Sequence, residues 1–331
     1  MNPVVRNILT KHFIDSNGDP NAAVLLACSG RSGSTWVSRV INYRNDFRMM
    51  FEPFREDLIP ECIAFRLNQY IRPNDRSPEF LQPAKVVLAG RVRHDWIDRY
   101  NRRFFCQRRL VKDIRVNLFL KWLCVNFPHI PVVMLMRHPC AVALSRMALS
   151  WDMDLQARFL SQPALVEDYL APFAGEMARA GTEWERQIFA WCVENYVPLA
   201  QCVPNDVHLT FYEDFCRAPE AELGKFAGFL RVRFDDHVRK EIATPSQTVR
   251  TNLDGQGYSS IVSGDDVVGG WRREVSPQQI KRAVEIVRMF GLDRIYGEEP
   301  MPLPDAKERA FIPADQHSSM NAGLRSSATG E

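Results

Sequence analysis

The sequence predicts an α/β fold, a central parallel sheet covered by helices on both faces. Three observations point there. Short apolar runs bounded by turn residues recur along the chain. Segments of helical periodicity separate these runs, and such alternation builds a parallel sheet whose strands are buried on both sides. A Gly/Ser loop, SGRSGSTW at 29–36, joins the first run to the first helical segment.

The expected strands are 23–28 (AVLLAC), 47–52 (FRMMFE), 109–114 (RLVKDI), 131–136 (PVVMLM) and 207–212 (VHLTFY). The helical segments are 34–43, 117–126, 139–150 and 182–196, with two more helices expected over 213–243. Residues 151–200 are too long for a simple connection and read as a helical insertion over the sheet. Its aromatics, Trp151, Phe159, Phe173, Trp184 and Trp191, have the spacing of core residues, and the insertion as a whole is expected to cover a pocket. Residues 251–270 are rich in Gly, Ser and Asp and read as a long functional loop. Residues 1–300 form one expected domain; 301–331, polar and rich in Pro, Ser and Gly, form an expected flexible tail.

The 331 residues are 46% hydrophobic and 25% charged, with a net charge of +2, so no overall field points to nucleic acid. The charge is uneven. Between Lys85 and Arg115 ten Lys/Arg face three Asp, either a solvated basic face or a wall for an anionic ligand. The eight cysteines show no CxxC pair and no metal-ligand spacing with histidine, which predicts a reducing compartment and no metal. With no apolar leader and no membrane-length run, the expectation is a cytoplasmic protein without a transmembrane segment.

A strand, a Gly/Ser loop and a helix place free N–H groups and the positive helix end against an anion. Gly30 and Gly33 allow close backbone approach, and Ser32, Ser34 and Thr35 add hydroxyls. A nucleoside-triphosphate loop would continue Gly-Lys-Ser/Thr. Here Ser34 follows Gly33, and the cation is Arg31, inside the loop. The structural alternative is a helix cap with Ser34 at the N-cap. The fourth strand runs into MRHPCAVALSRM, where Arg137 ends the strand and Ser145 lies about two turns along the following helix. These two could close on one phosphate.

Taken together, the two motifs resemble the sulfotransferases that use 3'-phosphoadenosine 5'-phosphosulfate (PAPS). FYEDF at 211–215 and WRREVSPQQI at 271–280 extend the resemblance, which spans roughly 24–290. It implies a P-loop-like three-layer fold, PAPS as donor without a metal, 3',5'-ADP as product, and a small-molecule or glycan hydroxyl as acceptor. By resemblance, the loop from Gly30 through Trp36 grips the 5'-phosphosulfate and Arg31 stabilises the leaving phosphate. Arg137 and Ser145 grip the 3'-phosphate, while Trp36 and Tyr212 lie near the adenine.

Sulfuryl transfer needs a base for the acceptor hydroxyl and cations for the transferred group. In the cytosolic branch a Lys-Thr-His supplies lysine and base; here the triplet is Lys112-Asp113-Ile114, without the histidine. Glu52, in MMFEPF, resembles the Glu-Pro pair of the carbohydrate branch and is the expected base. A salt-bridge role with an arginine is its alternative. Asp113 is a rival whose pKa neighbouring Lys112 and Arg115 should lower. His94 is a third candidate, expected at the surface. One element departs from the family: where an Arg-Lys-Gly would hold the 3'-phosphate, the sequence has Gly264-Asp265-Asp266, so Arg250, Arg272 or another cation must substitute. Two other classes fit the loop less completely: a P-loop kinase-like enzyme, and a non-catalytic nucleotide-binding protein on the same fold.

Overall fold

The structure, a computed structural model, describes residues 12–230, 232–243, 250–251, 257–258 and 266–312. Its centre is a five-stranded parallel sheet: β1 (Ala23–Cys28), β2 (Phe47–Phe51), β3 (Arg108–Asp113), β4 (Val132–Met136) and β5 (His208–Phe211), in the order β2-β3-β1-β4-β5. All five were expected, with ends shifted by a residue or so. Every residue of β1, β2 and β4 is buried, which explains why β1 and β4 read as unbroken apolar runs; in β2 the run is broken by Arg48, buried with its charge paired. The chain leaves β1, builds β2 and β3 on one side, then crosses to β4 and β5 on the other. The strand order therefore switches at β1, and the crevice beyond its carboxyl end is where such sheets bind ligands.

Helices cover both faces. They are α1 (Ser34–Ile41), α2 (Pro78–Leu88), α3 (Leu120–Asn126), α4 (Pro139–Met147), α5 (Glu183–Gln201), α6 (Pro219–Leu230) and α7 (Pro277–Met289), with shorter turns between. Thr182 and Glu185 form a capping box that starts α5. That helix runs past its expected end at 196 and carries Pro198 in its last turn, held by burial of almost its whole length. Two core layers result. One packs α4, α5 and α7 against one face of the sheet; the other packs α1 and α6 against the opposite face.

Several expectations change. Residues 212–243 form three helices rather than two, because Pro219 restarts the chain after Tyr212–Arg217 and Val238–Ile242 follows α6. Most of the 251–270 loop lies outside the described residues; Arg250–Thr251 pairs antiparallel with Gly257–Tyr258. The first part of the expected tail is docked rather than loose: Leu303 N–H donates to Ile295 O, Ile312 N–H to Leu199 O, and Ala306 and Ala310 are buried. Phe159, Phe173, Trp184 and Trp191 of the insertion are core, whereas Trp151 is 40% exposed. The basic stretch 85–115 divides: Arg103 pairs with Asp46 and Arg109 with Asp15 away from the cavity described below, whereas Arg99, Lys112 and Arg115 line it, Arg115 paired with Glu56. No helix among the described residues is long and apolar enough to cross a membrane.

Candidate active site

The loop after β1 turns through two left-handed residues, Arg31 (φ 76°) and Gly33 (φ 83°). Gly33, not Ser34, is the N-cap of α1, and no side chain caps the helix; Trp36 N–H turns back to the Gly33 carbonyl at 3.0 Å, while the N–H groups of Ser34 and Thr35 make no hydrogen bond among the described residues. Gly33 cannot be replaced without strain: a Cβ there would run into the Tyr212 ring, and one at Gly30 would come within 2.9 Å of Trp151. Ser32 departs from its expected role. It is fully buried, and its Oγ has no hydrogen-bond partner among the described residues.

The second motif meets the first directly. Arg31 Nε donates to Ser145 Oγ at 3.0 Å, and Arg137 Nη1 donates to the Arg31 carbonyl at 3.3 Å. The Arg137 guanidinium lies 4.4 Å from the centroid of the Tyr212 ring. Trp36 is 3% exposed and meets Tyr212 edge-on, with ring centroids 5.9 Å apart. All four line one cavity of about 760 Å³ together with Gly30, Arg31, Gly33, Ser34 and Thr35.

Glu52 and Lys112 stand on another wall of that cavity. They close β2 and β3, sixty residues apart, and β-pairing sets Phe51 beside Lys112. Lys112 Nζ donates to Glu52 Oε1 at 2.7 Å; among the described residues no hydrogen bond uses Oε2. The partner is thus a lysine, not the arginine considered from sequence. Asp113 is fully buried, away from the cavity, and accepts from the N–H groups of Phe54 (3.0 Å) and Arg115 (2.8 Å). Its pKa is pushed up, to about 6, by burial and then by the Glu52 charge; the expected lowering by neighbouring cations is outweighed. His94 is exposed, and its Nδ1 accepts from Trp96 N–H; it lies off the cavity.

Of the candidates for the missing 3'-phosphate cation, Arg272 turns to Glu299 at 3.0 Å, while Arg273 lines the cavity. The Arg250 side chain, Gly264 and Asp265 lie outside the described residues, and Asp266 accepts from the N–H groups of Val268 and Gly269.

Two groups of cavity residues had no sequence signal. Glu194 on α5 pairs with Arg146 at 2.6 Å, and Arg146 Nε donates to the Gly30 carbonyl at 3.1 Å, which fixes the loop from behind. Asn68 donates to the same glutamate. The other group is Arg55, Trp96 and Arg99, from a stretch without clear periodicity. Arg31, Glu52, Asn68 and Ser150 all line the cavity and are four of the five non-glycine residues with positive φ among the described residues. Backbone strain of this kind, about 1–3 kcal/mol each, collects where function holds it in place. The cavity wall carries nine cationic and five acidic side chains, an excess suited to an anionic ligand. Among the described residues no cluster of three His, Cys, Asp or Glu could hold a metal ion.

A model of the sulfotransferase family matches residues 24–236, and the chain belongs to that family. No curated relative matches the sequence. Among solved structures, the chain is similar to the sulfotransferase domain of the Synechococcus PCC 7002 olefin synthase, at 15% identity and a TM-score of 0.43, covering 82% of this chain and 97% of that one. It is also similar to retinol dehydratase in complex with retinol and PAP (15%, TM-score 0.40, 86% and 83% covered) and to mouse sulfotransferase SULT7A1 complexed with PAP (15%, TM-score 0.35, 97% and 93% covered).

Proposed function

We propose that this member of the sulfotransferase family moves a sulfuryl group from PAPS to the hydroxyl of a small molecule or glycan, a sugar in the carbohydrate-branch reading. The observation that carries the reading is the convergence of three parts on one cavity: the Gly30–Gly33 loop with Arg31, the Arg137–Ser145 pair, and the Glu52–Lys112 pair. The residues suit the donor chemically. Its two anionic ends call for two sets of cations and donors, and the bare first turn of α1 and the Arg137–Ser145 pair supply them. When bound, PAPS supplies a sulfuryl group on a phosphate leaving group.

Glu52 Oε2 is the base. It takes the acceptor proton as the acceptor oxygen bonds to sulfur, and the bridging S–O bond to the phosphate breaks. Lys112, fixed by Oε1, orients that carboxylate and offers its charge to the transferred oxygens. Arg31 stabilises the phosphate left behind, and its bond to Ser145 ties the two phosphate motifs together. Arg273 replaces the missing cation near the 3'-phosphate, with Trp36 and Tyr212 beside the adenine. All eight cysteines are free, in keeping with a cytoplasmic setting.

Titration calorimetry with 3',5'-ADP and, separately, 5'-AMP, without magnesium, tests the donor. Tight binding of the bisphosphate and weak binding of the monophosphate are expected. Equal affinities would overturn the Arg137–Ser145 assignment and the PAPS reading with it.

A further inference from the structure

Of the nine cations on the cavity wall, Arg99 alone makes no hydrogen bond or ion pair among the described residues. Lys112, Arg115 and Arg146 are paired with carboxylates, and Arg55 is tied to Asp57. Arg99 touches only rings: its guanidinium carbon lies 4.3 Å from the centroid of Trp96, 5.0 Å from Tyr100 and 5.2 Å from Phe51. A half-buried guanidinium carries five N–H donors in a planar fork, and aromatic faces satisfy its charge but not those donors. The fork matches an oxyacid anion, which would accept two bonds side by side.

Position assigns this group to the acceptor. The Phe51 ring that carries Arg99 also carries Lys112 Nζ, 4.3 Å from its centroid, and Phe51 immediately precedes Glu52. Trp96 is shared with Arg55, whose guanidinium lies 4.8 Å from the indole, and Arg55 follows Glu52 by three residues. Arg99 therefore stands on the Glu52 side of the cavity, whereas the anion-binding loop gathers around Ser145.

We propose that the acceptor carries an oxyacid anion, a carboxylate or a phosphate, in addition to the hydroxyl that receives the sulfuryl group, and that Arg99 reads it. This rests on the donor reading above for which end of the cavity is which.

The test uses three matched pairs: 4-hydroxybenzoate with phenol, methyl glucuronoside with methyl glucoside, and glycerol phosphate with glycerol. Each is titrated by NMR into the whole protein, with and without saturating 3',5'-ADP. In at least one pair the anion should bind tighter than its neutral partner by about tenfold or more, as a charge-assisted contact implies. The pair that responds separates carboxylate from phosphate. Arg99→Ala should abolish the preference, and Arg99→Lys, which keeps the charge and loses the fork, should restore part of it; both should bind 3',5'-ADP as the wild type does. The proposal is overturned if no anion is preferred, or if the preference survives in Arg99→Ala. If 3',5'-ADP fails to bind while the Arg99-dependent preference persists, the donor reading falls and the anion site stands.

Discussion

The neighbouring strands β2 and β3 carry charges at both ends, and the two ends are built to opposite purposes. At the amino end Arg48 and Arg109 are fully buried; Arg48 uses all five of its N–H donors and Arg109 four. Arg48 donates to Asp98 at 2.8 and 3.2 Å, to Asp15 at 3.3 Å, and to the carbonyls of Gly90 and Val92. Arg109 donates to Leu88 O and Asp15 and to the carbonyls of Asn17 and Asp19. At the carboxyl end Lys112 and Glu52 share one bond, Oε2 is left over, and the pair faces a cavity. A buried ion pair is no evidence of function when its hydrogen-bonding capacity is used up within the protein. A pair with a spare atom toward a cavity can act on a ligand.

This contrast predicts that the two ends fail differently. Glu52→Gln should lower turnover by about 10²–10⁴-fold, the usual contribution of a positioned base, while melting temperature and 3',5'-ADP affinity stay near wild type. Full activity in this variant would remove Glu52 as base. Arg48→Met should do the reverse. Leaving Asp98 buried without its cation, and Asp15 with Arg109 alone, should cost about 3–5 kcal/mol in urea unfolding, with nucleotide affinity retained in the fraction that folds. Unchanged stability would mean that the amino end is not the closed network described.

A smaller effect tests the loop between the two ends. Gly33→Ala forces a side chain into a left-handed position against the Tyr212 ring, so about 1–2 kcal/mol of stability should go, together with most of the 3',5'-ADP affinity. An alanine variant that binds the nucleotide normally would break the link between backbone geometry and anion binding.

A further effect, spread over several pH units, is read as a pH slope. Glu213 is fully buried, accepts from His138 N–H and Tyr296 Oη–H, and has its pKa pushed up to about 7 by burial. The folded state therefore holds a proton that the unfolded state has released, and stability falls as pH rises from the ordinary glutamate value, 4.5, to about 7. Glu213→Gln lacks this term. Its stability relative to wild type should rise by up to about 1.4 kcal/mol per pH unit across that window and then level off. Parallel curves for the two proteins would exclude a protonated Glu213.

The sheet was legible because its strands are buried on both faces and so appear as apolar runs; β1, β2 and β4 have no exposed residue. The loop and the Arg137–Ser145 pair were legible because each lies within one short segment around a strand end. Glu52 and Lys112 could each be named, but not as a pair, since only strand register brings positions 52 and 112 together. Arg109 and Arg115 counted toward a basic wall, yet their acids, Asp15 and Glu56, stand ninety-four and fifty-nine residues away. Asp113 misled for a related reason: sequence shows charged neighbours but not the burial that outweighs them. Arg55 lies in the loop after β2, and Trp96 and Arg99 in the turns after α2, where no periodicity marks which side chains face a cavity.

The left-handed residues around the cavity also bear on engineering. Each holds back stability that the core would otherwise deliver. A thermostabilising campaign can relax Ser150 with glycine, which adopts that backbone freely. Under the proposed mechanism Arg31 and Glu52 allow no such exchange, because their side chains act from left-handed backbone positions. An active form of this protein therefore carries the strain at these two positions as a fixed cost, to be offset by gains elsewhere in the fold.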